Sequence, residues 1–264
     1  KAKDGIELQY EVLGEGPAVV LLHGGLVGRS AFARMRQDLA RKFTMILPSS
    51  RGHDGTELVL PADYSFETSE VSDLSTILKA EKLESVHLVG HSSGGCTAFA
   101  FAKKHPEKVN RLILIEPTLA NLLPPAELNA FAKFTQEVVN AEKNYGAKAA
   151  LRVVMDWLSS EDGRDLDESA LDRLAPMAPF VGPHWKILLN NPVTPQDLEA
   201  LKPPTQLFYG SASFDFEPAI AAAWKKYRPD LPLITIEGAG HNVHHDRPDI
   251  VNPSIINFLT TGKS

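Results

Sequence analysis

The residue pattern predicts an α/β fold, a mostly parallel sheet covered by helices on both faces. Short apolar runs recur along the chain, most of them continuous rather than alternating, and segments of helical periodicity separate them. One such run ends in a glycine-flanked serine, and a helix of small residues follows at once. The 264 residues, 43% hydrophobic and 23% charged, suffice for a full core in one large domain with an insertion.

In chain order, Asp4-Gly5 is a turn pair, and Ile6 to Leu13 alternates apolar and polar residues, as a half-exposed antiparallel edge strand does. Ala18 to Leu22 is a continuous apolar run and reads as a buried strand. It ends in His23-Gly24-Gly25-Leu26. A helical pattern runs from Ser30 through Phe32, Met35, Leu39 and Ala40. Phe43 to Leu47 is the next strand, followed by the polar loop Pro48 to Thr56. Ser65 to Leu83 places Val71, Leu74, Ile77 and Leu78 on one helix face.

Ser85 to Val89 is again a buried strand. The turn Gly90-His91-Ser92-Ser93-Gly94 fits G-x-S-x-G and leads into the helix that begins near Cys96. A nucleophilic hydroxyl must stand clear of the backbone on a sharp strand-to-helix turn. Such a turn brings helix and strand backbones close, so the flanking positions must lack bulk. The helix N-terminus aims free N–H groups at the reacting oxygen. One donor for a developing oxyanion is then the N–H of Ser93; the other is that of Gly25 or Leu26 in the earlier glycine loop. His23 holds that loop by hydrogen bonds.

Val109 to Ile115 forms another buried strand and ends at Glu116-Pro117. Proline favours an extended predecessor, so Glu116 is expected as an extended carboxylate at the strand's end. From Thr118 to about Lys202 the strand signal disappears. Helical patterns dominate there, broken by Pro124-Pro125, Gly163, Pro176, Pro179, Gly182-Pro183, Pro192 and Pro195. The expected organisation is a core of residues 1–117 and 203–264 with a helical cap at 118–202, placed to act as a lid. The strand signal returns at Pro203 to Tyr209. Phe216 to Tyr227 is helical, Leu231 to Ile236 is a strand, and Ile250 to Leu259 closes as a helix.

Net charge is −6 and no Lys/Arg block occurs, so nucleic acid is not an expected partner. The single cysteine, Cys96, excludes an intrachain disulfide, reads as a packing residue and fits a reducing, cytoplasmic setting. No stretch is apolar enough to span a bilayer, and Lys1 to Gly5 is polar without a signal-peptide core. The expected state is a monomer or homodimer. His241, His244, His245 and Asp246 could be read as metal ligands, but no second cluster at ligand spacing accompanies them, so no metal or cofactor is expected.

With these pieces aligned, the chain resembles an α/β-hydrolase fold enzyme over nearly its whole length. The resemblance rests on His23-Gly24-Gly25, on Gly90 to Gly94, and on Gly238-Ala239-Gly240-His241 after the last strand. The loop Arg51 to Thr56 is similar to the family's Arg-Gly-x-Gly-x-Ser segment. It implies an eight-stranded, mostly parallel sheet with an inserted helical lid, Ser92 as nucleophile and His241 as general base. Where many members carry the triad acid in a Gly-x-x-Asp pattern, this chain has Gly210-Ser211-Ala212-Ser213. Two acids remain. Glu116 matches members that place it after the strand following the elbow, zearalenone-lactone hydrolases among them; Asp215 lies two residues late. Glu116 is favoured. The resemblance implies an esterase or lactonase acting on a small apolar substrate. Carbon–carbon bond hydrolases, cofactor-free dioxygenases and non-catalytic ligand receptors on the same fold are the alternatives.

Overall fold

The computed structural model describes residues 1–162 and 168–263. Seven strands form one sheet: β1 (Tyr10–Leu13), β2 (Ala18–Leu22), β3 (Thr44–Pro48), β4 (Val86–His91), β5 (Val109–Ile115), β6 (Thr205–Gly210) and β7 (Leu233–Ile236). Their order is β1-β3-β2-β4-β5-β6-β7; β1 runs antiparallel to β3 and every other pairing is parallel. The eight strands implied by family resemblance are therefore seven among the described residues, the same seven that the first alternating segment and the six apolar runs after it mark. The first is shorter than its alternating pattern. Pairing begins at Tyr10 opposite Pro48, where β3 ends in a residue without an N–H, and Ile6 to Gln9 lie outside the ladder.

The central strands β2, β4, β5 and β6 are buried along nearly their whole length, which explains why they read as unbroken apolar runs. On one face, Val20, Leu88, Leu112 and Leu207 pack with α2 (Val71–Ala80) and α3 (Ser93–Lys104). On the other, Val19, Val89, Ile113 and Phe208 pack with α1 (Arg36–Leu39) and the C-terminal helix Pro248–Thr261. The helix expected from Ser30 is two short pieces, a 3-10 turn at Gly28–Phe32 and then α1. Phe32, Met35 and Leu39 are nonetheless all buried, so the periodicity reported the packed face rather than continuous helix. The helix expected from Ser65 opens with a π turn at Phe66–Glu70, capped by the Ser65 hydroxyl on the Thr68 N–H.

Between β5 and β6 the described chain is helical: α4 (Pro125–Tyr145), α5 (Ala147–Asp162), α6 (Glu168–Leu174), α7 (Ala178–Leu189) and α8 (Pro195–Glu199). Phe131, Thr135 and Val138 form the buried stripe of α4, at the spacing of successive helical turns. The expected breaker Gly163 lies outside the described residues. After β6 come α9 (Glu217–Tyr227), the short α10 (Val243–Asp246) and α11 (Pro248–Thr261). No helix of the described residues is long and apolar enough to cross a membrane.

Because parallel strands share a direction, β4 and β5 deliver Ser92 and Glu116 to the same sheet edge. Close approach at that edge depends on glycine. A Cβ at Gly94 would lie 2.2 Å from the Leu22 carbonyl oxygen and 2.5 Å from that of His23; at Gly90 it would meet the Gly94 carbonyl at 2.5 Å. All of these are backbone atoms that no rotamer change can move aside. Gly94→Ala is therefore expected to lower stability by about 3 kcal/mol, the upper end of overpacking costs, as measured by chemical denaturation.

Candidate active site

Ser92 sits between β4 and α3 at φ 54° and ψ −122°, a conformation that costs an L-residue strain. Its N–H donates to the Ile115 carbonyl (3.0 Å), and its carbonyl accepts from Gly95 (2.9 Å), so the turn is fixed on both sides. The Ser92 Oγ lies 3.3 Å from the Thr118 hydroxyl. Ser93 opens α3, where helix N–H groups have no intrahelical partner.

Glu116 departs from the extended conformation expected before Pro117: its φ is 48°. Tertiary hydrogen bonds override the local preference. Its N–H donates to the Phe208 carbonyl (3.0 Å). Its fully buried carboxylate accepts from the Gly210 N–H (2.6 Å) on Oε1 and from the Ser213 hydroxyl (2.6 Å) on Oε2. The same Oε2 accepts from His241 Nδ1 at 3.1 Å. With Nδ1 carrying the proton, the ring is left with Nε2 as its acceptor. Asp215, the other acid considered, is exposed.

The loop bearing His241 is tied to the elbow. His91 donates from Nε2 to the His241 carbonyl (3.0 Å), and Phe214 stacks on the His241 ring with centroids 4.3 Å apart. In the glycine loop, His23 donates from Nδ1 to the Gly24 carbonyl (2.7 Å) and accepts the Ser50 N–H (3.1 Å), the holding role expected of it. Of the two donors considered in that loop, the Leu26 N–H is directed at His53 Nε2 (3.2 Å), which leaves Gly25. His184 of α7 packs against Gly25 so closely that a Cβ there would come within 2.6 Å of its Nε2.

Ser92 and His241 line one cavity of about 320 Å³, together with Gly24, Gly25, Leu26 and Thr118. Its far wall is apolar and comes largely from the inserted helices, with Val154, Met155, Trp157, Leu158, Trp185 and Leu188. Cys96 is buried beneath the elbow with its thiol on the Thr118 carbonyl (3.2 Å), as befits a packing residue.

Among the described residues, His241, His244, His245 and Asp246 do not bring three ligand atoms to one point, although His245 Nδ1 lies 3.8 Å from Asp246 Oδ1. His244 donates to the Ala31 carbonyl (3.0 Å), and Asp246 accepts from the Gly240 N–H (2.9 Å). The side chains that do converge are Glu116, Glu217 and His241, one ligand atom of each lying within 4.8 Å of the others. Burial pushes both carboxyls up from the usual carboxylate range. The donors Ser213 and Gly210 pull Glu116 back, whereas Glu217 rises further because the Glu116 charge is beside it.

Sequence reasoning brought Ser92, His241, Glu116, Gly25 and Ser93 to notice. It assigned no site role to Thr118, Phe214, His184 or Glu217. Ser213 carried a signal, since it occupies the register where an acid was expected and a hydroxyl there can donate to an acid placed elsewhere.

Residues 17–248 match the α/β hydrolase fold family. The chain belongs to that family. This α/β hydrolase is 25% identical over 262 residues to 2-(acetamidomethylene)succinate hydrolase of Mesorhizobium japonicum, covering 96% of this chain and 92% of that one. It is 32% identical over 169 residues to 2-hydroxy-6-oxo-2,4-heptadienoate hydrolase of Pseudomonas putida, covering 63% and 57% of the two chains. The solved enol-lactonase from Burkholderia xenovorans LB400 has a similar fold, with a TM-score of 0.74 at 20% identity over 97% of this chain and 98% of that one.

The histidines of the hydrolase make stability depend on pH. Burial lowers His23 and His87 to about 4 and His91 and His184 to about 3, so the folded rings stay neutral where the unfolded ones, at 6.5, take up protons. Their contribution is complete above pH 6.5 and is lost as pH falls, at up to about 1.4 kcal/mol per pH unit for each ring. Buried Glu70, raised to about 7, and the raised carboxyls of Glu116 and Glu217 act in the opposite sense as pH falls toward 4.5 and then saturate. The melting temperature is expected to fall below pH 6.5 and most steeply below 4.5, as followed by calorimetry.

Proposed function

We propose that this α/β hydrolase is a serine hydrolase that cleaves carboxylic ester or lactone bonds through an acyl-enzyme. Ser92 is the nucleophile, His241 the general base and Glu116 the acid that orients it; the Gly25 and Ser93 N–H groups hold the oxyanion. The observation that carries this reading is the shared cavity of Ser92 and His241, with the His241 Nδ1 donating to Glu116 at 3.1 Å.

In this mechanism His241 takes the Ser92 proton on Nε2 as Oγ attacks the carbonyl carbon. The buried Glu116 carboxylate stabilises the imidazolium that forms, and the ring then returns the proton to the leaving oxygen. Water, deprotonated by the same nitrogen, releases the acid. Residues 118–202 act as a cap that supplies the substrate's apolar surroundings. Trp157, Trp185 and Phe216 form a continuous aromatic wall, with Trp157 against Trp185 at 5.4 Å and against Phe216 at 6.2 Å. Such a wall suits a flat or unsaturated apolar group.

A carbon–carbon bond hydrolase is the second reading, favoured by the likeness to the Pseudomonas putida enzyme named for a hydroxy-oxo-dienoate. Comparing kcat/KM on short acyl esters, lactones and such a dienoate separates the two.

Ser92→Ala is expected to abolish ester turnover and fluorophosphonate labelling together; retained turnover would refute the acyl-enzyme. Glu116→Gln should lower kcat by about 100-fold or more, while Asp215→Asn stays within about twofold, both read from steady-state kinetics. The opposite pattern would move the acid to Asp215.

A further inference from the structure

Glu217 is a buried ionisable group beside His241 that the chemistry above leaves unused. It stands in the first turn of α9 and is 1% exposed, and its Oε1 is 3.8 Å from His241 Nδ1. Neither of its carboxyl oxygens has a hydrogen-bond partner among the described residues. The other ionisable groups facing it are Glu116 at the end of β5, Tyr209 on β6 and Cys96 on α3. Burial keeps the tyrosine and the cysteine in their neutral forms, and the charge of Glu217 would add to that effect.

Two carboxylates this close cannot both be charged cheaply in a buried site. Glu116 has two other donors as well as His241, and Glu217 has none, so Glu116 holds the charge and Glu217 the proton. We propose that Glu217 is a positioning residue acting through His241: a second carboxyl, neutral while Glu116 is charged, that becomes a partner of Nδ1 once it ionises. This rests on the reading of Ser92 and His241 as nucleophile and base. In alkali, Glu217 loses its proton to solvent, and the imidazolium formed during acyl transfer then faces two carboxylates instead of one. Without the Glu116 charge, the repulsion that holds the proton on Glu217 is gone, and a small side-chain shift lets it take Nδ1.

The test is the pH profile of kcat on a short acyl ester for the whole enzyme and three variants. The wild type should show a second, alkaline rise. Glu217→Gln should remove that rise, whereas Glu217→Asp, which keeps a carboxyl, should retain it. Glu116→Gln should lose about 100-fold at pH 7 and recover as pH rises, and the Glu116→Gln/Glu217→Gln double variant should lose about 10⁴-fold with no recovery. A Glu217→Gln profile that superimposes on the wild type, or a double variant no worse than Glu116→Gln, would overturn the proposal. A nitrogen NMR titration of His241 in the Ser92→Ala protein reads the same event without turnover. Its alkaline inflection should vanish in Ser92→Ala/Glu217→Gln, and its persistence there would also overturn the proposal. Should Ser92→Ala keep its esterase activity, the acyl-enzyme reading fails, yet the inflection still reports on Glu217.

Discussion

The hydrogen bond from His241 Nδ1 to Glu116 Oε2 joins two parts of the chain 125 residues apart. Glu116 ends a central strand, and His241 lies in the loop after the last one. The contact therefore exists only when β5, β6 and β7 are in register. The same carboxylate also accepts from Gly210 and Ser213 at the end of β6. One buried charge thus gathers the ends of three strands, and it fixes which nitrogen of the imidazole carries the proton. A buried carboxylate without such donors would protonate instead, as its neighbour Glu217 does.

Strain at the sheet edge follows from the same arrangement. Ser92 and Glu116 both adopt positive φ at the ends of adjacent strands, and neither is glycine. Each is held there by donating its own backbone N–H to a carbonyl on the next strand over, Ser92 to Ile115 and Glu116 to Phe208. The sheet imposes conformations that local preference disfavours, and in return two polar side chains stand clear of the backbone. Histidines that the proposed chemistry leaves aside serve the same edge. His91, His23 and His53 are buried, neutral and bonded to backbone, so they set the paths of the two loops that flank Ser92.

The inserted helices bring a different character. They carry Trp157 and Trp185, which line the cavity with Phe214 and Phe216 from the segment after β6, and His184 from α7 meets Gly25 directly. The cavity thus joins the polar groups of Ser92 and His241 to a largely apolar lining, to which the inserted helices also bring Arg173 and His184.

Local pattern was enough for much of this. Continuous apolar runs marked the central strands, because strands buried on both faces have no polar face to alternate with, and an alternating run marked the half-exposed first strand. Glycine spacing marked the elbow and the loop beside it, because only glycine tolerates a backbone carbonyl where a Cβ would stand. The sequence also placed Glu116 at a strand end, and parallel neighbours then carried it to the edge that holds Ser92. Its backbone conformation was not legible, since Pro117 argued for an extended residue and distant donors decided otherwise. Nor were Glu217, Thr118, Phe214 and His184. A glutamate opening a helix reads as an ordinary dipole partner, and a histidine within a helix carries no sign of what it will face. Their neighbours come from other elements, so their protonation, burial and contacts were decided by the tertiary structure, where long-range packing sets the local dielectric and the donors within reach.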